Sequence, residues 1–153
     1  MTWNLHGTHV QDGDLVELVG LRHKRFILRI QQGADFQSHR GVLQHDDLIG
    51  KPWGSQVFSH NGAPFFLLQP SLGDLISHLP RSSQILYPKD IGYILVNMGI
   101  GEGQHIVEAG TGSGSMTCAM AFSVGSGGHI TSYDVREDMQ NTARKNIERL
   151  GLS

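Results

Sequence analysis

One stretch, HIVEAGTGSGSMT at residues 105–117, limits the possible folds more than any other part of the sequence. An apolar run ends at an acid, Glu108, and three glycines follow at alternate positions, Gly110, Gly112 and Gly114. Small and hydroxyl-bearing residues lie between them. Glycines at this spacing indicate a backbone that comes close to a ligand. The stretch therefore predicts a buried strand, a ligand-binding loop and the start of a helix.

The segments around this loop alternate between helix and strand. Residues 88–99 predict a helix, with a proline near its start and a glycine past its end. Residues 105–110 and 128–135 predict strands, and residues 113–125 and 136–151 predict helices. This order is typical of an α/β fold with a parallel sheet. Because two strands and two crossover helices are about half of a doubly wound sheet, we expect the chain to be a fragment or to complete itself with a partner.

The N-terminal part has a different hydrophobic pattern. Residues 14–70 contain short apolar runs separated by turn residues, which predict a small antiparallel barrel or curled sheet. Asn61-Gly62 stands between two of these runs and favours a hairpin with a type I′ turn. A short helix is expected at residues 71–80. We place the domain boundary after it, giving a β domain at residues 1–83 and an α/β domain at residues 84–153.

Composition limits the possible ligands and the cellular compartment of the protein. The net charge of −2 gives no global argument for nucleic-acid binding. A single cysteine, Cys118, excludes a disulfide within the chain and indicates a reducing compartment. With no apolar run long enough for a membrane span and no signal-peptide pattern at the N-terminus, we expect a cytoplasmic protein. The histidines show no metal-ligand spacing, so we predict no metal site.

Four interpretations compete for the glycine loop. A dinucleotide fingerprint needs its third glycine at position 115, which is Ser115, and a phosphate P-loop needs a Gly-Lys pair that is absent. A glycine-rich turn without a ligand remains open. A loop for S-adenosylmethionine fits best, because the following helix directs free N–H groups at the carboxylate of the ligand.

Two acids support a nucleoside cofactor. Glu108 closes the first strand, and Asp134 closes the second strand. A carboxylate at that second position can accept hydrogen bonds from both hydroxyls of a ribose. A solvated acid at a strand end is the alternative for Asp134.

The wider context of the loop resembles a known family. SSQILYPKDIGYILVNMGIGEGQHIVEAGTGSGSMT (82–117) and GGHITSYDVREDMQNTARKNIERLG (127–151) are similar to the TrmI family, the tRNA adenine-N1 methyltransferases that act at tRNA position 58. QILYPKD (84–90) is the most specific element. HRGVLQHDDLIGKPWGS (39–55) looks like the small β domain of that family. The resemblance implies a Rossmann-like S-adenosylmethionine-dependent methyltransferase domain, of which this chain holds the first half.

The family also implies roles for individual residues. Asp134 would bind the ribose, Met139 would lie against the adenine of the cofactor, and Gln84 would face the cofactor side. Tyr87 would stack on the target adenine. The methionine part of S-adenosylmethionine would lie on the loop and helix start, which are Gly110, Gly112, Ser113, Gly114, Ser115 and Met116. For Gln84, Tyr87 and Met139, a purely structural role is the alternative.

The basic run RHKR (22–25) is the one local basic patch in the β region. Arg22, Lys24 and Arg25 are candidates for phosphate contacts to tRNA. A solvated hairpin turn is the alternative.

One departure from the family pattern limits these expectations. The catalytic Asp of the family lies in an Asp-x-Pro-like motif after the fourth strand, and this chain ends before the third. We therefore expect the chain alone to be inactive. By resemblance the complete protein would be a tetramer or pair with a non-catalytic homologue. A protein isoaspartyl methyltransferase, which has a similar GTGSG loop, and a non-catalytic tRNA- or partner-binding module remain as alternatives.

Overall fold

The computed structural model describes residues 7–80, 84 and 86–152. These fall into two compact units that divide between Ser71 and Leu72. The sequence placed the boundary at 83/84, after the short helix of residues 71–80. The structure groups that helix with the second unit, because its apolar face packs on the helices that follow.

The first unit consists of antiparallel β-structure. Its strands are β1 (Leu15–Gly20), β2 (Arg25–Arg29), β3 (Asp35–Ser38), β4 (Gly41–Gln44), β5 (Gln56–Phe58) and β6 (Pro64–Leu68). Four of them form an open sheet in the order β2-β1-β6-β5, and β3 pairs with β4 in a separate ladder. Antiparallel structure was predicted here, but the sequence missed β3, which is only four residues long.

Alternate side chains along the strands face inward and form the core of this unit. Val16 and Leu18 of β1 and Phe65 and Leu67 of β6 are 0–1% exposed, and they face the same side of the sheet. Phe26 and Leu28 of β2 pack against this cluster from the neighbouring strand.

The hairpin predicted at Asn61-Gly62 forms, but without the predicted type I′ turn. It joins β5 and β6, and Gly62 (φ 81°) is its one residue with positive φ, so Asn61 does not take part in a type I′ turn. Instead, Ser59 Oγ donates to the carbonyl of Arg40 and accepts from the N–H of Ala63, which ties the loop together.

The two consecutive positive φ angles of a type I′ turn occur between β1 and β2, at Arg22 (φ 61°) and His23 (φ 57°). Neither residue is one that tolerates this conformation as readily as glycine does. The basic run is therefore a tight hairpin turn with a strained backbone.

The second unit contains the α/β element. Its helices are α1 (Leu72–Ser77), α2 (Pro88–Asn97), α3 (Ser115–Val124) and α4 (Glu137–Leu150), and its strands are β7 (His105–Ala109) and β8 (His129–Tyr133). The strands pair in parallel, with Ile106 opposite Ile130 and Ala109 opposite Tyr133. The predicted strand–helix–strand–helix order is confirmed.

Helix packing explains why α1 belongs to this unit. Ile76 of α1, Ile91 of α2 and Ala119 of α3 are at most 3% exposed and form one cluster. One side of the β7–β8 pair stays open to solvent, where Val107 is 75% and Tyr133 is 60% exposed. A two-stranded sheet leaves such apolar surface uncovered, as expected. None of the described helices has the length and apolarity to cross a membrane.

A buried asparagine fixes two segments to α4. Asn146 is 2% exposed, and its Nδ2 donates to the carbonyl of Ser113 at 2.8 Å and to the carbonyl of Pro80 at 3.0 Å. The amide thereby satisfies two backbone acceptors that burial would otherwise leave unpaired. It holds the loop that begins α3 and the segment that ends at Pro80 on the same helix.

The turn assignment gives a first prediction. His23→Gly should raise the free energy of unfolding by about 0.5–1 kcal/mol, because glycine relieves the left-handed backbone. Asn61→Gly is the matched control and should give no gain, since Asn61 already has a negative φ. Urea denaturation measures both, and a gain at position 61 but not at position 23 would contradict the assignment.

The Asn146 contacts give a second prediction. Asn146→Ala should lower the free energy of unfolding by about 2–3 kcal/mol, because it leaves buried carbonyls without a donor. Asn141→Ala, at an exposed position on the same helix, should change it by less than about 0.5 kcal/mol. Equal effects of the two substitutions in chemical denaturation would argue against the bridging role.

Candidate S-adenosylmethionine site

The glycine loop is attached to the end of β8 through its own backbone. The N–H groups of Gly110 and Thr111 donate to the carbonyl of Tyr133, at 2.7 and 3.1 Å. The N–H of Gly112 donates to Oδ2 of Asp134 at 2.8 Å. The structure thus brings the predicted loop and the predicted second acid together at the carboxyl ends of β7 and β8.

The three glycines meet two different needs. All three have positive φ. A Cβ atom added at Gly110 or Gly112 would meet no atom within 4 Å, whereas one at Gly114 would lie 3.1 Å from Cα and Cβ of Ala143. The first two leave open space beside the loop, where a ligand can approach the backbone. Gly114 instead allows α4 to pack closely.

The helix after the loop presents unpaired donors. Its first intrahelical hydrogen bond runs from the N–H of Cys118 to the carbonyl of Gly114, at 2.8 Å, and no side chain caps the helix. Within the described residues, the N–H groups of Ser115, Met116 and Thr117 therefore have no hydrogen-bond partner. Such a helix start favours a carboxylate or another anion.

Two serine side chains of the loop are buried. Ser113 and Ser115 are 3% and 4% exposed, and their hydroxyl oxygens lie 3.4 Å apart. Met116 packs against the cluster of Ile76 and Ile91. The side chain of Met116 is only partly buried, whereas Ser113 and Ser115 offer almost no side-chain surface to a ligand.

Glu108 is held by a network of hydroxyl groups. Its Oε2 accepts from Thr117 Oγ1 at 2.6 Å and from Ser132 Oγ at 2.5 Å. Ser132 donates its only hydroxyl proton to Glu108. Thr111 Oγ1 lies 2.6 Å from Ser132 Oγ, so Thr111 must be the donor in that pair. Among the described residues, Oε1 of Glu108 has no partner and can accept from a bound cation.

Asp134 is prepared to stay ionised. Hydrogen bonds from the N–H of Gly112 and the N–H of Arg136 hold the pKa of this carboxyl below its usual value. Each oxygen accepts one of these bonds. Because an ionised carboxylate offers about four lone-pair positions, each oxygen can accept one further hydrogen bond.

Cys118 takes no part in chemistry at this site. It is fully buried, and burial, with a smaller effect from Glu108, raises the pKa of its thiol to about 12. The thiol is therefore protonated and inert at neutral pH, and Cys118 packs as a small apolar side chain of α3.

The remaining predicted cofactor and substrate residues differ in accessibility. Met139 is 2% exposed, so its side chain offers no free surface to an adenine in this conformation and acts as a core residue. Gln84 is exposed. Tyr87 precedes α2 at its N-cap position and is 52% exposed, so its ring is accessible. The roles of all three stay predictions.

The basic run of the first unit is only partly available for phosphate contacts. Arg25 forms an ion pair with Glu17, whose side chain is 4% exposed, at 3.2 Å. A buried carboxylate needs this cation, so Arg25 has a structural task. Arg22 and Lys24 are exposed at the hairpin turn.

Sequence reasoning missed four polar residues around the site. They are Thr111, Thr117, Ser132 and Asn146. Their types are common on any surface, and only their contacts in the structure distinguish them. Asn146 had one usable signal, because it falls within the apolar stripe of α4. Within residues 7–80, 84 and 86–152, no group of three or more His, Cys, Asp or Glu side chains could hold a metal ion.

Known proteins share this architecture. A tRNA (adenine(57)-N(1)/adenine(58)-N(1))-methyltransferase TrmI of Methanocaldococcus jannaschii is 37% identical over 134 residues, which are 88% of this chain and 46% of that protein. An S-adenosylmethionine-dependent O-methyltransferase of Thermotoga maritima superposes with a TM-score of 0.83 at 29% identity, covering 98% of this chain and 57% of the other. For the tRNA (m1A58) methyltransferase TrmI of Aquifex aeolicus, the TM-score is 0.75 at 27% identity, covering 95% and 56%.

The chain spans about half the length of these proteins, and they confirm the predicted fold, a β domain followed by the first part of a methyltransferase domain. Two family models match it in separate parts. The model of the TrmI-like N-terminal region matches residues 9–57, which disfavours the isoaspartyl methyltransferase alternative. The model of the tRNA methyltransferase complex GCD14 subunit matches residues 65–153. The resemblance seen in QILYPKD and the glycine loop is thus confirmed, and the chain belongs to the family of the tRNA methyltransferase complex GCD14 subunit.

Proposed function

We propose that this chain supplies the S-adenosylmethionine-binding elements and the TrmI-like N-terminal region of a tRNA methyltransferase that acts on N1 of adenine 58. The supporting observation is the joining of the glycine loop to Asp134 through the N–H of Gly112, in a chain that belongs to a tRNA methyltransferase family. The fit of the cofactor is supported by the open space beside Gly110 and Gly112.

The two ends of the site suit the two ends of the cofactor. The free N–H groups that begin α3 would receive the carboxylate of its methionine part, and Oε1 of Glu108 would accept from the ammonium group. Asp134 would accept from the ribose hydroxyls with the lone pairs that Gly112 and Arg136 leave free. Bound S-adenosylmethionine supplies an electrophilic methyl group, so the main task of the protein is orientation of the acceptor.

The acceptor side of the proposal depends on Tyr87. Its ring is half-exposed at the start of α2, and an accessible aromatic ring can stack on an extruded base. Removal of the N1/N6 proton is assigned by family resemblance to an Asp-x-Pro-like motif, which these 153 residues do not include. We further propose assembly with a second copy or a homologous subunit, which the description of the family as a complex subunit supports.

Asp134 gives the direct test of cofactor binding. Asp134→Asn should weaken binding of S-adenosylmethionine about tenfold or more, because it removes a charged acceptor from the ribose hydroxyls. Asp138→Asn is the matched control: this nearby exposed acid pairs with Arg136 and should leave the affinity within about twofold. Isothermal titration calorimetry measures both. Equal affinities of wild type and Asp134→Asn would exclude the proposed ribose contact.

The methyl acceptor is decided by an activity assay. The complete product of the gene, whatever its length, should produce 1-methyladenosine at position 58 of an unmodified tRNA transcript, and Tyr87→Ala should reduce the rate constant by about tenfold or more. A tRNA in which adenine 58 is replaced by uridine is the control. The likeness to a protein named as an O-methyltransferase makes this assay necessary, and methylation of another acceptor with no 1-methyladenosine would refute the proposal.

A further inference from the structure

The first unit contains a cleft that the proposed function does not use. Its volume is about 360 Å³, and it lies between β4, the turn that follows β4, and β5. The floor is formed by Leu43, Leu48 and Val57, which are 1–6% exposed. A cleft of this size with an apolar floor is within the range of small-ligand sites.

The rim of the cleft is polar, and its polar groups are uncommitted. Gln44, Asp47, Lys51 and Gln56 line it. Their side chains make no hydrogen bond and no ion pair with any of the residues that the structure describes. Surface side chains often have no partner, but here four of them converge on one opening. Between them they offer amide donors and acceptors, one carboxylate and one ammonium.

Two further side chains add directional groups. Nδ1 of His60 accepts from the N–H of Val42 at 2.8 Å, so a neutral ring has its proton on Nε2 and can donate there. Phe58 of β5 is 59% exposed at the edge of the sheet. A large exposed aromatic ring beside unpaired polar groups is typical of surfaces that stack on nucleic-acid bases.

We propose that this cleft binds one unpaired nucleotide of RNA. Phe58 stacks on the base, Lys51 contacts a neighbouring phosphate, and Asp47 accepts from an exocyclic amino group. The proposal rests on the proposed function in one respect, namely that RNA is the substrate. The charges of Lys51 and Asp47 cancel, so the rim has no net positive charge to attract a phosphate as the main ligand. The rim therefore suits recognition of a base better than binding of a phosphate. A free phosphate or a uracil should therefore bind less well than an amino-bearing base within an RNA strand.

The experiment uses the 153-residue chain and fluorescein-labelled hexaadenylate. Phe58→Leu should weaken binding about tenfold, since stacking on one base contributes on that scale. Phe66→Leu is the matched control, because Phe66 is 51% exposed on the neighbouring strand and does not line the cleft. Asp47→Asn should reduce the preference for hexaadenylate over hexauridylate, and adenosine monophosphate should compete more weakly than the hexamer.

The outcomes separate this inference from the proposed function. If no hexaadenylate binding is detected at concentrations up to about 1 mM, the cleft assignment is overturned. Equal weakening by Phe58→Leu and Phe66→Leu overturns it as well. Both conclusions hold even if the complete gene product methylates tRNA. Binding that depends on Phe58 but not on Phe66 supports the cleft even if no 1-methyladenosine forms. Unchanged RNA binding together with loss of self-association by Phe58→Leu in sedimentation would make the cleft a subunit contact and overturn the inference.

Discussion

Three consecutive N–H groups determine the geometry on which the rest of the candidate cofactor site depends. Those of Gly110 and Thr111 bond to the carbonyl of Tyr133, and that of Gly112 bonds to the carboxylate of Asp134. These bonds bring the loop after β7 across to the end of β8. A loop attached only to its own strand would have no fixed position relative to the second acid. Because Asp134 is one of the acceptors, the residue proposed for the ribose also helps to shape the loop.

Much of the second unit could be predicted because its local signals agree with one another. The proline at the start of α2, the glycine after it and the change from strand to helix periodicity all indicate the observed elements. The glycines predicted a loop between a strand and a helix, and the structure has that loop between β7 and α3. The sequence could not divide the tasks of the glycines, however, since only the structure shows that Gly114 lies against Ala143 while Gly110 faces open space.

The errors in the first unit have a different origin. Asn-Gly favours a type I′ turn through local energy alone, but Ser59 stabilises another loop at that place by bonding to Arg40, which is distant in sequence. Arg22 and His23 adopt the disfavoured conformation because β1 and β2 pair closely on either side of them. In both hairpins tertiary hydrogen bonding outweighs a preference of about 1 kcal/mol. The role of Asn146 could not be predicted either, because its hydrogen-bond partners, the carbonyls of Pro80 and Ser113, are distant in sequence.

The contact between Gly114 and Ala143 has a consequence for ligand size. Helix α4 begins just after Asp134, and α3 begins at the free N–H groups, so the separation of these helices sets the distance between the two ends of the candidate cofactor site. Since a Cβ atom at Gly114 would lie only 3.1 Å from Ala143, the helices are as close as two small residues allow. Residue 143 therefore acts as a spacer, and a larger side chain there would lengthen the proposed site without altering any of the groups proposed to contact the cofactor.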